Sequence, residues 1–171
     1  MATICLNMIV RNEAHVLREL FESVAHLVQH WVIVDTGSTD GTQELVRGWF
    51  ANKGIPGELF ERPWRDFGHN RSEALQLADG RAHYVWMMDA DDKLHGRLSL
   101  RNLTHDAYAL RYGSDFTYWR KQLFRSGRGW RYVGVLHEYP HSDIARTEGQ
   151  IEGDYHIESR RLGDQIGRAH V

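Results

Sequence analysis

The chain of 171 residues has one cysteine and three prolines, contains no long hydrophobic run, and shows no large excess of charge of either sign. Each shortage excludes something. The lone thiol, Cys5, can form no internal disulfide, and in its apolar run it is expected as a core residue. A formal net charge of -2 leaves no electrostatic footprint for nucleic acid or for an anionic membrane surface. The apolar runs fall far short of the roughly 20 residues that span a bilayer, so no transmembrane segment is expected. The N-terminus also lacks the apolar core of a signal peptide, which makes a cytoplasmic protein the expectation. No repeat, low-complexity stretch or linker divides the chain. One domain is expected, burying roughly 70% of its unfolded surface.

What the sequence does contain is alternation. ATICLNMIV (2–10) reads as a buried strand, with Asn12 as the cap of a helix whose apolar face is Leu17, Leu20, Phe21, Val24, Leu27 and Val28. WVIVD (31–35) is a second strand, and TGSTDGT (36–42) a turn. There Asp40 and Gln43 resemble a capping box for a helix carrying Leu45, Val46, Trp49 and Phe50. GELFERP (57–63) reads as a weaker strand, HNRSEALQLA (69–78) as a helix and HYVWMM (83–88) as a strand. Three such alternations predict a parallel sheet covered by helices. Beyond residue 100, DAYALRYG and FTYWRKQLFRS predict antiparallel strands around Gly113–Asp115, and WRYVGVLHEYP (130–140) reads as irregular. A smaller, mixed second half packed on an α/β first half is expected.

Chemistry concentrates where apolar strands end in acids. VWMMDADDKL (85–94) runs straight into Asp89, Asp91 and Asp92, and WVIVD ends on Asp35. Unpaired neighbouring carboxylates repel one another, and burial raises their pKa values. A divalent cation resolves the conflict, because Mg²⁺ and Mn²⁺ favour oxygen ligands and are held by one or two carboxylates plus substrate phosphates. In an open parallel sheet such ligands bind at the carboxyl ends of the strands. An extended Asp-Ala-Asp end would set both carboxylates on one side. For Asp35 alone, capping of its own turn is an equal alternative. Neither a P-loop nor a G-x-G-x-x-G motif is present, which removes the main support for nucleoside-triphosphatase and dinucleotide readings.

Four segments together, CLNMIVRNEAHVLRELFESV, VIVDTGSTDGT, RPWRDFGHNRSEAL and YVWMMDADD, resemble a family 2 glycosyltransferase of GT-A fold, of the bacterial type often followed by tetratricopeptide repeats. The resemblance covers roughly residues 3–158. It implies a Rossmann-like, mostly parallel sheet with helices on both faces, a nucleotide half at 1–92 and an acceptor half at 93–158. It further implies a nucleotide-diphosphate sugar donor, UDP-linked by expectation, and a divalent metal, Mn²⁺ or Mg²⁺. Asp35 matches an aspartate that contacts the base, while Asp89, Ala90 and Asp91 match the D-x-D motif, with Asp92 an additional acid. Arg11, Asn12 and Glu13 match the first loop of the nucleotide pocket. Arg71 stands where a basic side chain would meet diphosphate or ribose, and Asp66 and Asn70 are further candidates.

An inverting transferase needs a carboxylate to accept the acceptor's proton. The YVGVLHEYP segment resembles the corresponding H-E segment, which makes Glu138 the candidate base. His137 is a candidate third metal ligand or a residue that orients the loop. Trp130 and Tyr132 offer either a sugar-stacking face or core packing. The acceptor, whether saccharide, lipid-linked sugar or peptide, is left open.

Three other readings compete. HEYPH (137–141) matches the zinc-protease pattern H-E-x-x-H, with Glu158 downstream as a possible ligand, but Pro140 breaks the helix that pattern requires. Two acids at i and i+2 after a strand also suit an aspartate-nucleophile phosphatase, although two strands with motifs of their own precede them. The third is a non-catalytic nucleotide-sugar-binding fragment. The closing IGRAHV (166–171) is identical to one reading frame of a widely used sequencing adapter. The expectation is therefore a truncated chain whose tail, 159–171, lacks apolar anchors and stays poorly ordered.

Overall fold

In a computed structural model describing residues 1–135 and 137–160, strand β1 (Ile4–Val10) is buried at every position. A strand hidden on both faces needs a layer on each side. Its side chains divide accordingly. Ile4, Leu6, Met8 and Val10 enter one core, and Cys5 and Ile9 enter another. Burial pushes the Cys5 thiol up to about 12, so it is an inert core group.

Strands β2 (His30–Asp35), β3 (Gly57–Glu61) and β4 (Tyr84–Met87) join β1 in the order β3-β2-β1-β4, all parallel. Helices α1 (Ala14–Val24) and α2 (Thr42–Lys53) cover the first face. Leu17, Leu20 and Phe21 are fully buried there, each contributing about 1.5–3 kcal/mol. The Phe50 ring lies 4.6 Å from Phe21 and 4.8 Å from Trp31. Helix α3 (Phe67–Ala78) covers the second face through Ala74, Leu75 and Ala78. Because β1 lies between β2 and β4, the strand order reverses beside it, and open α/β sheets bind ligands at the carboxyl edge of such a reversal.

The second half continues this sheet rather than packing on it as a separate piece. Strands β5 (Asp92–Gly96), β6 (Ala107–Tyr112), β7 (Tyr118–Arg125), β10 (Glu148–Gln150) and β11 (Tyr155–Ser159) extend it as β4-β7-β6-β11-β5, with β10 also on β6. Pairs β4–β7, β6–β7 and β5–β11 are antiparallel. Gly113, at φ +84°, makes the β6–β7 turn; a Cβ there would fall 2.1 Å from Phe116 O. Asp106, just before β6, accepts from Arg146 N at 2.7 Å, Thr147 N at 3.2 Å and Arg128 Nε at 2.8 Å. Those donors, the Arg146 N–H foremost, hold its carboxyl down at about 2. The stretch expected to be irregular forms a two-stranded sheet, β8 (Arg131–Val133) with β9 (Tyr139–His141).

Three local expectations are corrected. Asn12 is not a helix cap: its φ is +52°, and Glu13 occupies the cap position. Asp40 accepts from Thr42 N, and Gln43 turns its amide onto Asp35 and Ser38, so no capping box closes. The expectation of a poorly ordered tail fails at its first two residues, 159 and 160. Ser159 lies in β11 and Arg160 is anchored by its backbone and side chain, whereas 161–171, including the adapter-like 166–171, lie outside the described residues. No helix is long and apolar enough to cross a membrane among the described residues.

Candidate active site

The carboxyl ends of β1, β2 and β4 converge on two loops. In the first, Asn12 N–H donates to Ser38 Oγ at 2.8 Å, and its Oδ1 accepts from Thr39 N at 2.8 Å. Glu13 N–H donates to Thr42 Oγ1 at 3.0 Å, and Ala14 N–H to Asp40 Oδ2 at 3.2 Å. The half-buried Arg11 leads into this stitch. Asp35 is 1% exposed and accepts from Gly37 N, Ser38 N and Gln43 Nε2 at 2.9–3.0 Å, and from Ser38 Oγ. Its lone pairs are taken by the turn that follows it and by Gln43 at the start of α2. Asp35 does cap its own turn, a buried carboxylate satisfied by four donors.

The aspartate segment is likewise not extended. Asp92 N–H donates to Asp89 O at 3.0 Å, closing a turn around Ala90 and Asp91. Asp92 is fully buried; its Oδ2 accepts from Asp89 N at 3.1 Å and from Tyr112 Oη at 2.8 Å, and its Oδ1 has no hydrogen-bond partner. Burial first, and then the Asp89 charge, push its carboxyl well above the usual range. Asp92 thus braces the turn from inside.

Asp89 faces two guanidinium groups. Arg71 Nη2 lies 3.1 Å from Oδ1, and Arg120 Nη1 lies 3.3 Å from Oδ2. Arg71 is 4% exposed, with its guanidinium 5.0 Å from the Phe67 ring centroid and 5.5 Å from that of Tyr132. Arg120 rests over Tyr112 at 4.9 Å. Sequence reasoning missed Arg120, which looks like an ordinary polar residue of a half-buried strand. No sequence signal marks it; only the structure shows that the β6–β7 pairing is irregular next to Gln122, whose amide donates to Met87 O at 3.0 Å. Bulges often re-aim side chains beside sites.

Glu138 approaches from the β8–β9 connection. Its carboxylate lies over Gly68 in the first turn of α3, where a Cβ would come within 2.8 Å of Oε2, and that buried oxygen has no hydrogen-bond partner. Tyr132 links it to the arginines. Burial raises the Tyr132 hydroxyl, Arg71 and Arg120 pull it down, and Asp89 and Glu138 push it up. Tyr132 N–H donates to Ser72 Oγ at 2.9 Å, fixing β8 on α3. Trp130 instead packs on Phe124 at 5.0 Å, as a core residue.

Other candidates serve the scaffold. Asp66 caps α3 by accepting from His69 N at 2.7 Å, and Asn70 bonds Arg65 N, Asp66 N and Pro63 O. Asp89, Asp91 and His137 do not assemble: among the described residues, no three His, Cys, Asp or Glu side chains are grouped to hold one metal. His137 is exposed in the β8–β9 connection, while Asp89 is turned onto its arginines. The protease pattern also fails, since Tyr139–His141 is a strand and His141 pairs with Asp143 at 3.0 Å.

Residues 5–150 match the family model described as Glycosyl transferase family 2. The chain belongs to that family. Over 87 residues the chain is 33% identical to the lipopolysaccharide core biosynthesis glycosyltransferase LpsC of Rhizobium meliloti, covering 51% of this chain and 31% of LpsC. A TPR repeat-containing protein of Synechococcus elongatus is 34% identical over 95 residues, covering 55% of this chain and 22% of its own length. The chain thus spans between about a fifth and a third of these relatives. Among solved structures, a mannosyltransferase of Pyrobaculum calidifontis in complex with GDP-Man and Mn²⁺ superposes with a TM-score of 0.55 at 24% identity, covering 66% of this chain and 36% of the other. TarS of S. aureus in complex with UDP gives 0.54 at 22% identity, covering 65% and 36%. These likenesses show the fold, which is GT-A.

Proposed function

We propose that this family 2 domain transfers a sugar from a nucleoside diphosphate sugar, UDP-linked, with a divalent cation and inversion at the anomeric carbon. The observation that carries the reading is Asp89 bracketed by Arg71 and Arg120 at the strand-order reversal. Superposable structures hold UDP, or GDP-Man with Mn²⁺, and support the donor class and the ion.

Without His137, and with no three-ligand group among the described residues, the two aspartates would serve such an ion only once substrate phosphates complete its shell. Asp89 is a carboxylate whose side chain is a quarter exposed, Asp91 stands two residues on, and hard oxygen ligands completed by phosphates are what Mg²⁺ or Mn²⁺ takes. When bound, the ion supplies charge neutralisation for the departing diphosphate. Arg71 and Arg120 give the same phosphates charge-assisted donors. Asn12, Asp35 and the 36–42 loop shape the nucleotide end. Glu138 accepts the proton of the acceptor hydroxyl as that oxygen attacks the anomeric carbon and the C–O bond to diphosphate breaks.

A thermal-shift series with UDP, GDP and ADP, each with and without Mn²⁺, tests the donor half. The melting temperature should rise with UDP plus Mn²⁺ as the logarithm of ligand concentration. A folded sample that responds to no nucleotide would sink the proposal.

A further inference from the structure

Arg160 follows β11 and lies beyond the residues 5–150 that match the family model. Its side chain is 8% exposed and reaches two elements at once. Nε donates to Asp91 O at 3.0 Å and Nη2 to Asp92 O at 3.3 Å, while the backbone N–H donates to Asp91 O at 3.1 Å. On the other side, Nη2 donates to Val16 O at 3.1 Å, and Nη1 pairs with Glu19 Oε2 at 2.7 Å, both in α1.

These contacts fall on peptide groups of the aspartate turn. Three of the five donors end on the carbonyls of Asp91 and Asp92, and those peptide planes determine where the Asp91 carboxylate points. Asp92 and Tyr112 brace the turn from the sheet side; Arg160 braces it from the α1 side. A guanidinium is suited to this, because its fixed fork reaches several acceptors without further loss of freedom.

We propose that Arg160 is a positioning residue for the cation-binding turn, so that the end of β11 and the start of α1 jointly set the geometry of Asp91. The inference rests on the donor reading above. Residues that orient metal ligands without touching the ion typically change its affinity by about 10–100-fold when removed.

Calorimetric titration of Mn²⁺ in saturating UDP, with Mn²⁺ electron paramagnetic resonance in parallel, tests it. Arg160→Met should weaken Mn²⁺ by about ten-fold or more and broaden the bound-ion spectrum. Arg160→Lys keeps a charge beside Glu19 but loses the fork, and should fall between. The control is Arg128→Met, which removes an arginine from Asp106 far along the sheet; it should lower the melting temperature and leave Mn²⁺ affinity unchanged. If Arg160→Met does not fold, Arg160→Lys decides. Wild-type affinity in a folded Arg160 variant overturns the inference, as does an equal loss in the Arg128 control. Absence of Mn²⁺·UDP binding by the wild type overturns the proposed function instead, and with it this inference.

Discussion

The carboxylate of Glu138 rests on Gly68 with no room for a methyl group between them: a Cβ on Gly68 would stand 2.8 Å from Oε2. Two substitutions separate chemistry from stability here. Glu138→Gln should leave UDP·Mn²⁺ binding intact and lower kcat by about 10²–10⁴-fold, the usual contribution of a general base. Gly68→Ala should push the carboxylate aside and lower kcat while leaving folding stability equal or higher, since alanine is favoured over glycine within a helix by roughly 0.5–1 kcal/mol. Steady-state transfer assays beside urea unfolding check both. A Gly68→Ala enzyme with normal kcat would show that Glu138 is not placed by this contact.

Asp89→Asn removes the charge that Arg71 and Arg120 share. Cation-dependent nucleotide binding should be lost. Stability should fall by about 1–3 kcal/mol, the cost of leaving buried polar groups poorly paired. Isothermal titration with Mn²⁺ and UDP, beside urea unfolding, reads the two effects. Unchanged Mn²⁺ affinity would remove Asp89 from the ion's surroundings.

Arg120→Gln should discriminate among nucleotides. A guanidinium that meets phosphates is lost for UDP but not for uridine, so affinity should drop about ten-fold for UDP, or ~1.4 kcal/mol, and hardly at all for uridine. Parallel titrations with uridine, UMP and UDP would show it. An equal drop for all three would make Arg120 a scaffold residue.

Asp106 supplies a pH test away from the site. Its folded carboxyl is held down at about 2 by the Arg146 and Thr147 N–H groups and by Arg128, below its ordinary value of 3.8. A depressed folded pKa stabilises the fold above the ordinary value, and that stability is lost as pH falls from about 3.8 through 2. Asp106→Asn should therefore cost stability at pH 7 and flatten the acid limb of the stability curve. Urea denaturation midpoints from pH 2 to 7 measure this. Parallel wild-type and variant curves would contradict it.

The first half of the fold was legible because each element carries its own periodicity. Strand β1 is a continuous apolar run, and α1 repeats leucines at helical spacing. Strand β5 has no such mark: DKLHG contains one apolar residue, and its partner β11 lies at the far end of the described chain. Its pairing is a tertiary fact that local pattern does not encode. The site was legible unevenly for a related reason. Asp89 and Arg71 were both singled out, and the fold brings them to 3.1 Å. Asp35, Asp66 and Asn70, singled out by strand-end position or by the resemblance, fasten their own loops in the structure, a role that looks identical in sequence to meeting a ligand. Arg120 offered no distinguishing mark within its strand.

Arg160 and Asp91 are 69 positions apart in the chain, yet their groups touch at 3.0 Å. In synthesis the Asp91 carbonyl emerges 69 residues before the arginine that fastens it. The turn that would hold the ion is thus finished last, when β11 docks beside β5. A nascent chain can assemble its β1–β4 layers while the aspartate turn still waits for its last brace.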